Sequence, residues 1–287
     1  MFSQRISACC VLGLSSICCR AETGLVLGYT EPAPVLVTNG GGSDPGPAVT
    51  PPGLDAAASD PMDSGSPVVI PEDAGTPITF ESVCRPTVVY NNFDPNGAGA
   101  TIDVRMTDPP SVVQPISATA CSLLYSDPES VKLVEEIEVI AEPLGVPSAV
   151  STGRIRLSST YFDEYAAAGG DVTEELLGVL HFAVSINYQY NAGGSAPSWL
   201  VTGIADFVRL NAGHFDPNGA LPGGSWTDGF RTTAYFFDWV ATSYPDIVVG
   251  LHAALAPGQA GYSDALFVQL TGRTVNSLWA EYQAAIQ

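Results

Sequence analysis

The sequence is poor in positive charge, in histidine and in long apolar runs. Lys and Arg total 10 against 30 Asp and Glu among 287 residues, a net charge of −20 with a pI near 4.1. Such a chain repels phosphate backbones and anionic bilayers, which excludes nucleic acid as a partner. Beyond the first twenty residues no apolar run reaches the roughly 18 residues that a membrane span needs. Only three histidines occur, His181, His214 and His252, and none stands three or four residues from another. A metal site built from neighbouring histidines on one helix is therefore not expected, and each is read as structural. There is no G-x-S-x-G nucleophile elbow and no N-x-S/T sequon, so neither an elbow-type hydrolase nor N-glycosylation is expected.

Cysteine is also sparse where it counts. Four of the six crowd the first twenty residues, leaving Cys84 and Cys121. Their separation is far too long for a metal knuckle, and in an exported chain an even pair favours a disulfide. Export is the expectation set by the N-terminus. Met1–Arg5 is positive and Ile6–Cys19 is a short apolar run, followed by Arg20 and Ala21. That length suits a signal peptide over residues 1–21. Ile6-Ser7-Ala8-Cys9 also resembles a lipobox, and a buried N-terminal helix is a third reading. Residues 22–78 are rich in Pro, Gly, Ser and Asp with few bulky apolar side chains after Val37, which predicts an acidic disordered tether. The folded domain is expected over 79–287, placing the protein outside the cell, secreted or surface-anchored.

Strands are expected at Thr87–Tyr90 and Thr101–Thr107, on either side of the turn FDPNG. The hexapeptide FDPNGA recurs at Phe215–Ala220, and both copies read as tight turns, with calcium binding through Asp94 or Asp216 the weaker alternative. A helix over Ser111–Tyr125 should carry Cys121, and Leu133–Ala141 should be a strand. Helices are then expected at Val172–Tyr190, Pro197–Leu210, Asp228–Ser243, Asp246–Leu255, Tyr262–Leu270 and Val275–Ala285.

The most informative stretch is ELLGVLHFAVSINYQYNAGGSAPSWLVTGIADFVRLNAG, from Glu175 to Gly213. It resembles the active-site segment of the plant and bacterial basic secretory protein family, itself similar to zinc metallopeptidases. The family pattern is G-V-L-x-H-E-x-x-H-x-x-Q on one helix, a loop, then E-G-I-A-D-[FWY]-V-R on a second. Gly178, Val179, Leu180 and Gln189 match the first helix. Asn191, Gly194, Ala196 and Pro197 match the loop, and Gly203 to Arg209 match the second helix. GFRTTAYFFDWV at Gly229–Val240 and GYSDALFVQLTGRTVNSLWAEY at Gly261–Tyr282 extend the resemblance, and RIRLSSTYFDEY at Arg154–Tyr165 resembles the strand and loop before the zinc helix. The resemblance implies a zincin-like α+β fold, an N-terminal mixed sheet followed by a helical half.

The metal-binding positions depart from the pattern. Two histidines at i and i+4 share one helical face and so reach one zinc, with the intervening Glu as general base. Here those positions read Phe182, Ala183 and Ile186, and the third-ligand position reads Thr202. An alternative register places His181 first, but it still puts Phe182 at the Glu and Ser185 at the second His. Phe230 stands where the family usually has Tyr. These substitutions predict a noncatalytic pseudopeptidase with no cofactor, in which His181, Gln189, Asp206, Arg209 and Phe230 are remnants of the cleft. Its partner would be a protein, peptide or glycan. The alternative is an active secreted metallopeptidase, or another hydrolase, using ligands that the pattern does not reveal. For a hydrolase Ser185 beside His181 is the nearest nucleophile–base pair, without an orienting acid.

Overall fold

The computed structural model describes residues 77–287, so the expected leader and nearly all of the expected tether lie outside the described residues. A one-turn helix, α1 (Phe80–Val83), is closed by a capping box between Thr79 and Ser82 and leads into Cys84. Strand β1 (Thr87–Asn92) then enters the sheet. The chain turns at Asp94–Gly97, where the Gly97 amide donates to the Asp94 carbonyl. It forms the short α2 (Ala100–Asp103) and the sixteen-residue α3 (Pro109–Leu124). The disulfide between Cys84 and Cys121 ties the entrance of the domain to α3, the pairing that the cysteine count favoured.

One expected strand is a correction. Thr101–Thr107 is not extended: it contains most of α2 and the turn that follows. Alternation would have put Ile102, Val104 and Met106 on one face. Instead Ile102 and Met106, four residues apart, are buried while Val104 is 71 % exposed, the spacing of a helical turn. The sheet pairing gives the reason. β1 pairs in parallel with β2 (Glu136–Glu142), and parallel neighbours need a long crossover rather than a hairpin. α2 and α3 supply that crossover.

After β2, which begins three residues later than expected, β3 (Ser148–Ser151) and β4 (Arg154–Ser158) form an antiparallel pair. The sheet order is β1-β2-β4-β3, with β4 parallel to β2. Alternate residues point inward, so Ile137, Val139, Ala141, Ile155 and Leu157 are fully buried against the helices. On the opposite face Glu138 pairs with Arg154 and Glu142 with Arg156. Of the strand and loop expected over Arg154–Tyr165, the strand is β4 and the rest is helical, the start of α4 (Ser159–Ala167), because the Ser158 side chain caps it by accepting from the Tyr161 amide.

The helical half follows. α5 (Val172–Tyr188) starts at Asp171, whose carboxylate accepts from the amides of Thr173 and Glu174. Its interior is apolar on nearly every side, and from Gly178 to Tyr188 every residue but Ile186 is buried, the mark of a helix inside the core. α6 (Ser198–Asn211) is buried from Leu200 to Leu210 and packs between α5 and α7 (Phe230–Ala241). Gly203 permits the close approach of α6 and α7, since a Cβ there would run into the Thr233 side chain. α8 (Ile247–Ala253), α9 (Ala265–Thr271) and α10 (Val275–Ala285) close the domain. The result is α+β, a mixed sheet followed by helices.

Candidate functional site

Phe182, Ala183, Ile186 and Thr202, the positions that the resemblance aligns with metal ligands, lie at the junction of α5, α6 and α7, and this junction is packed. Phe182 is 2 % exposed, and its ring stacks on Phe230 with centroids 6.0 Å apart and planes 17° from parallel. Ala183 is fully buried, and Ile186 is half-buried against the core. The Thr202 hydroxyl is engaged: it lies 3.0 Å from the Ser198 carbonyl, to which it donates, and accepts from the Phe230 amide at 3.3 Å. The chain enters α7 through two positive-φ residues, Gly229 at 77° and Phe230 at 45°. Gly229 is further required because a Cβ would stand 2.6 Å from the Thr202 hydroxyl oxygen. Held in the left-handed region, a bulky aromatic such as Phe230 is an uncommon residue.

A zinc ion does not fit this donor set. Phe182, Ala183 and Ile186 carry no lone pair, and Thr202 offers a neutral hydroxyl already committed to backbone groups of Ser198, Trp199 and Phe230. Among the described residues no group of three or more His, Cys, Asp or Glu is placed to hold a metal ion.

Beside the packed junction lies a buried polar cluster. Arg209 is 2 % exposed and donates to Glu175 at 2.9 Å. Glu175 also accepts from the Tyr161 hydroxyl at 2.8 Å. Gly178 makes room for the guanidinium, since a Cβ there would be 2.7 Å from the Arg209 Nε. The guanidinium carbons of Arg209 and Arg231 each stand 4.3 Å from the centre of the Phe215 ring. Asp206 is fully buried in the same helix as Arg209. Arg209 and Asp206 are thus interior groups rather than the lining of an open cleft. Gln189 is 2 % exposed; its carbonyl accepts from Lys132, while its side-chain amide has no hydrogen-bond partner among the described residues.

The histidines separate into two environments. His252 is 1 % exposed; its Nδ1 faces the Leu124 carbonyl at 3.0 Å, and its Nε2 accepts from the Tyr190 amide at 2.8 Å. Burial holds its pKa down at about 4. His181 and His214, far apart in the chain, meet with ring centroids 4.6 Å apart. His181 Nδ1 faces the Leu177 carbonyl at 2.8 Å and His214 Nδ1 the Glu174 carboxylate at 2.6 Å. Burial, more than the neighbouring charges of His214 and Arg209, lowers the His181 pKa to about 4. Sequence spacing could not find this pair, since it is made by the turn after α6. Ser185 donates to the Phe182 carbonyl at 2.8 Å and forms no hydrogen bond with His181.

No curated protein and no solved structure matches the chain. A family model described as peptidase of plants and bacteria matches residues 87–282, from the first residue of β1 to the last turn of α10. That span takes in the sheet, the packed junction and the whole helical half, and the chain belongs to this family.

Proposed function

We propose that the protein is an exported, noncatalytic member of its peptidase family that acts by binding a protein, peptide or glycan. The observation that carries this reading is the Phe182–Phe230 stack closing the junction of α5, α6 and α7, where the family resemblance places the metal. The apolar leader expected over residues 1–21, a domain over 79–287, and the Cys84–Cys121 disulfide support export. No helix among the described residues is long and apolar enough to cross a membrane.

Peptide hydrolysis by the full chain, assayed with and without added Zn²⁺, tests the proposal. Activity should stay at the level of the buffer in both. Hydrolysis that a chelator abolishes would overturn it.

A further inference from the structure

We propose that His181 and His214 form a two-histidine site for a borderline divalent transition metal such as Ni²⁺, Cu²⁺ or Zn²⁺, separate from the closed junction at Phe182. Three observations carry it. The first is the fixed tautomer of each ring. A backbone carbonyl only accepts, so His181 Nδ1 must carry its proton towards Leu177, and His214 Nδ1 carries its own towards the Glu174 carboxylate. Both lone pairs are then left on Nε2, and among the described residues neither Nε2 has a hydrogen-bond partner. A carbonyl or a carboxylate on the distal ring nitrogen is the outer support that metal-bound imidazoles use.

The second observation is the separation of the rings. With a metal–nitrogen distance of about 2.0–2.1 Å, the ring centre stands about 3.2 Å from the ion; two rings meeting at right to tetrahedral angles are then about 4.5–5.2 Å apart. The observed 4.6 Å falls in that window. The third is access. His181 retains 8 % exposure and the His214 side chain 11 %, which leaves both rings in touch with solvent. With no third protein ligand in place, water completes the coordination. Neutral imidazoles favour Cu²⁺ and Ni²⁺ at least as much as Zn²⁺.

Calorimetric titration of the full chain with Ni²⁺ at pH 7.5 tests the site, with Cu²⁺ electron paramagnetic resonance to count nitrogen donors. We expect one ion per chain and a two-nitrogen signal. His214→Gln should abolish the binding, and Glu174→Gln, which removes only the outer support, should weaken it about tenfold. Glu174 is exposed and His214 is largely buried, and circular dichroism checks that the variants remain folded. Wild-type protein that ignores Ni²⁺, or His214→Gln protein that binds it as well as wild type, overturns the proposal. A Phe182→Leu variant should bind Ni²⁺ unchanged, since Phe182 carries no lone pair, and loss of binding there would overturn the separation of this site from the junction. Peptide hydrolysis is not a readout of this test, so its outcome and that of the noncatalytic reading are independent.

Discussion

Phe182 concentrates the argument at the scale of the residue. A position that in the family pattern donates a lone pair here contributes a ring, buried and stacked on Phe230. Truncating it removes the transfer energy of an aromatic and leaves a cavity that two helices cannot close. Phe182→Ala should therefore destabilise the domain by about 3–5 kcal/mol in urea unfolding. A loss below about 1 kcal/mol would mean that the junction is loose and the ring dispensable. That this position holds a ring and not a lone-pair donor is read directly off the sequence and needs no tertiary knowledge. Also legible was the Cys84–Cys121 pair, the one pairing open to the two cysteines that follow the expected leader. The Arg209–Glu175 ion pair was not legible. Its members lie 34 residues apart on different helices, and only the absence of a Cβ at Gly178 lets them meet.

At the scale of elements, the helices were readable because caps and apolar periodicity are local. Asp171 before α5 and Thr274 before α10 both accept from amides of the first turn. The failure at Thr101–Thr107 is equally local: seven residues of alternating character fit a strand, but the buried pair Ile102 and Met106 fits one turn of helix. The contact between α6 and α7 was hidden, because Gly203 reads in sequence as a defect of its helix. In isolation Gly203→Ala would favour the helix by about 1 kcal/mol. Here the new methyl meets Thr233, whose hydroxyl accepts from the Gly229 amide and donates to the Trp226 carbonyl. We expect net destabilisation by Gly203→Ala in thermal unfolding. Thr233→Ser keeps the hydroxyl and removes the methyl, so the double variant should recover part of the loss. Additive effects in that cycle would refute the close contact.

At the scale of the whole molecule, stability should depend on pH through two buried imidazoles. His181 and His252 each have a folded-state pKa of about 4, below the ordinary value of 6.5, because burial disfavours the charged ring. Folding therefore favours the neutral form. The contribution is whole above pH 6.5 and is lost as pH falls from 6.5 towards 4, by up to about 3 kcal/mol for each ring. Most carboxylates are still ionised over the upper part of this window, so the imidazoles dominate there. Unfolding in urea at pH 7.5 and pH 5 should show a clear fall in stability, and His252→Gln should flatten it. A flat wild-type profile would contradict the burial of these rings. Nothing in the sequence marked this behaviour, since the carbonyl and the amide that fix His252 come from α3 and from just beyond α5, and only the assembled fold brings them together. The general architecture, a sheet and then helices, was legible, whereas the parallel order of β1 and β2 was not.

The bridge from Cys84 to Cys121 has a mechanical consequence. A pull on the chain ahead of Cys84, with the far end of the domain held, passes through the covalent link straight into α3. Everything between the two cysteines, including β1 and α2, sits inside a closed loop that cannot lengthen. Under load the parallel seam between β1 and β2 can be dislodged but cannot pay out chain. In a single-molecule trace the first 36 residues after Cys84 would add no extension until a reductant opened the loop.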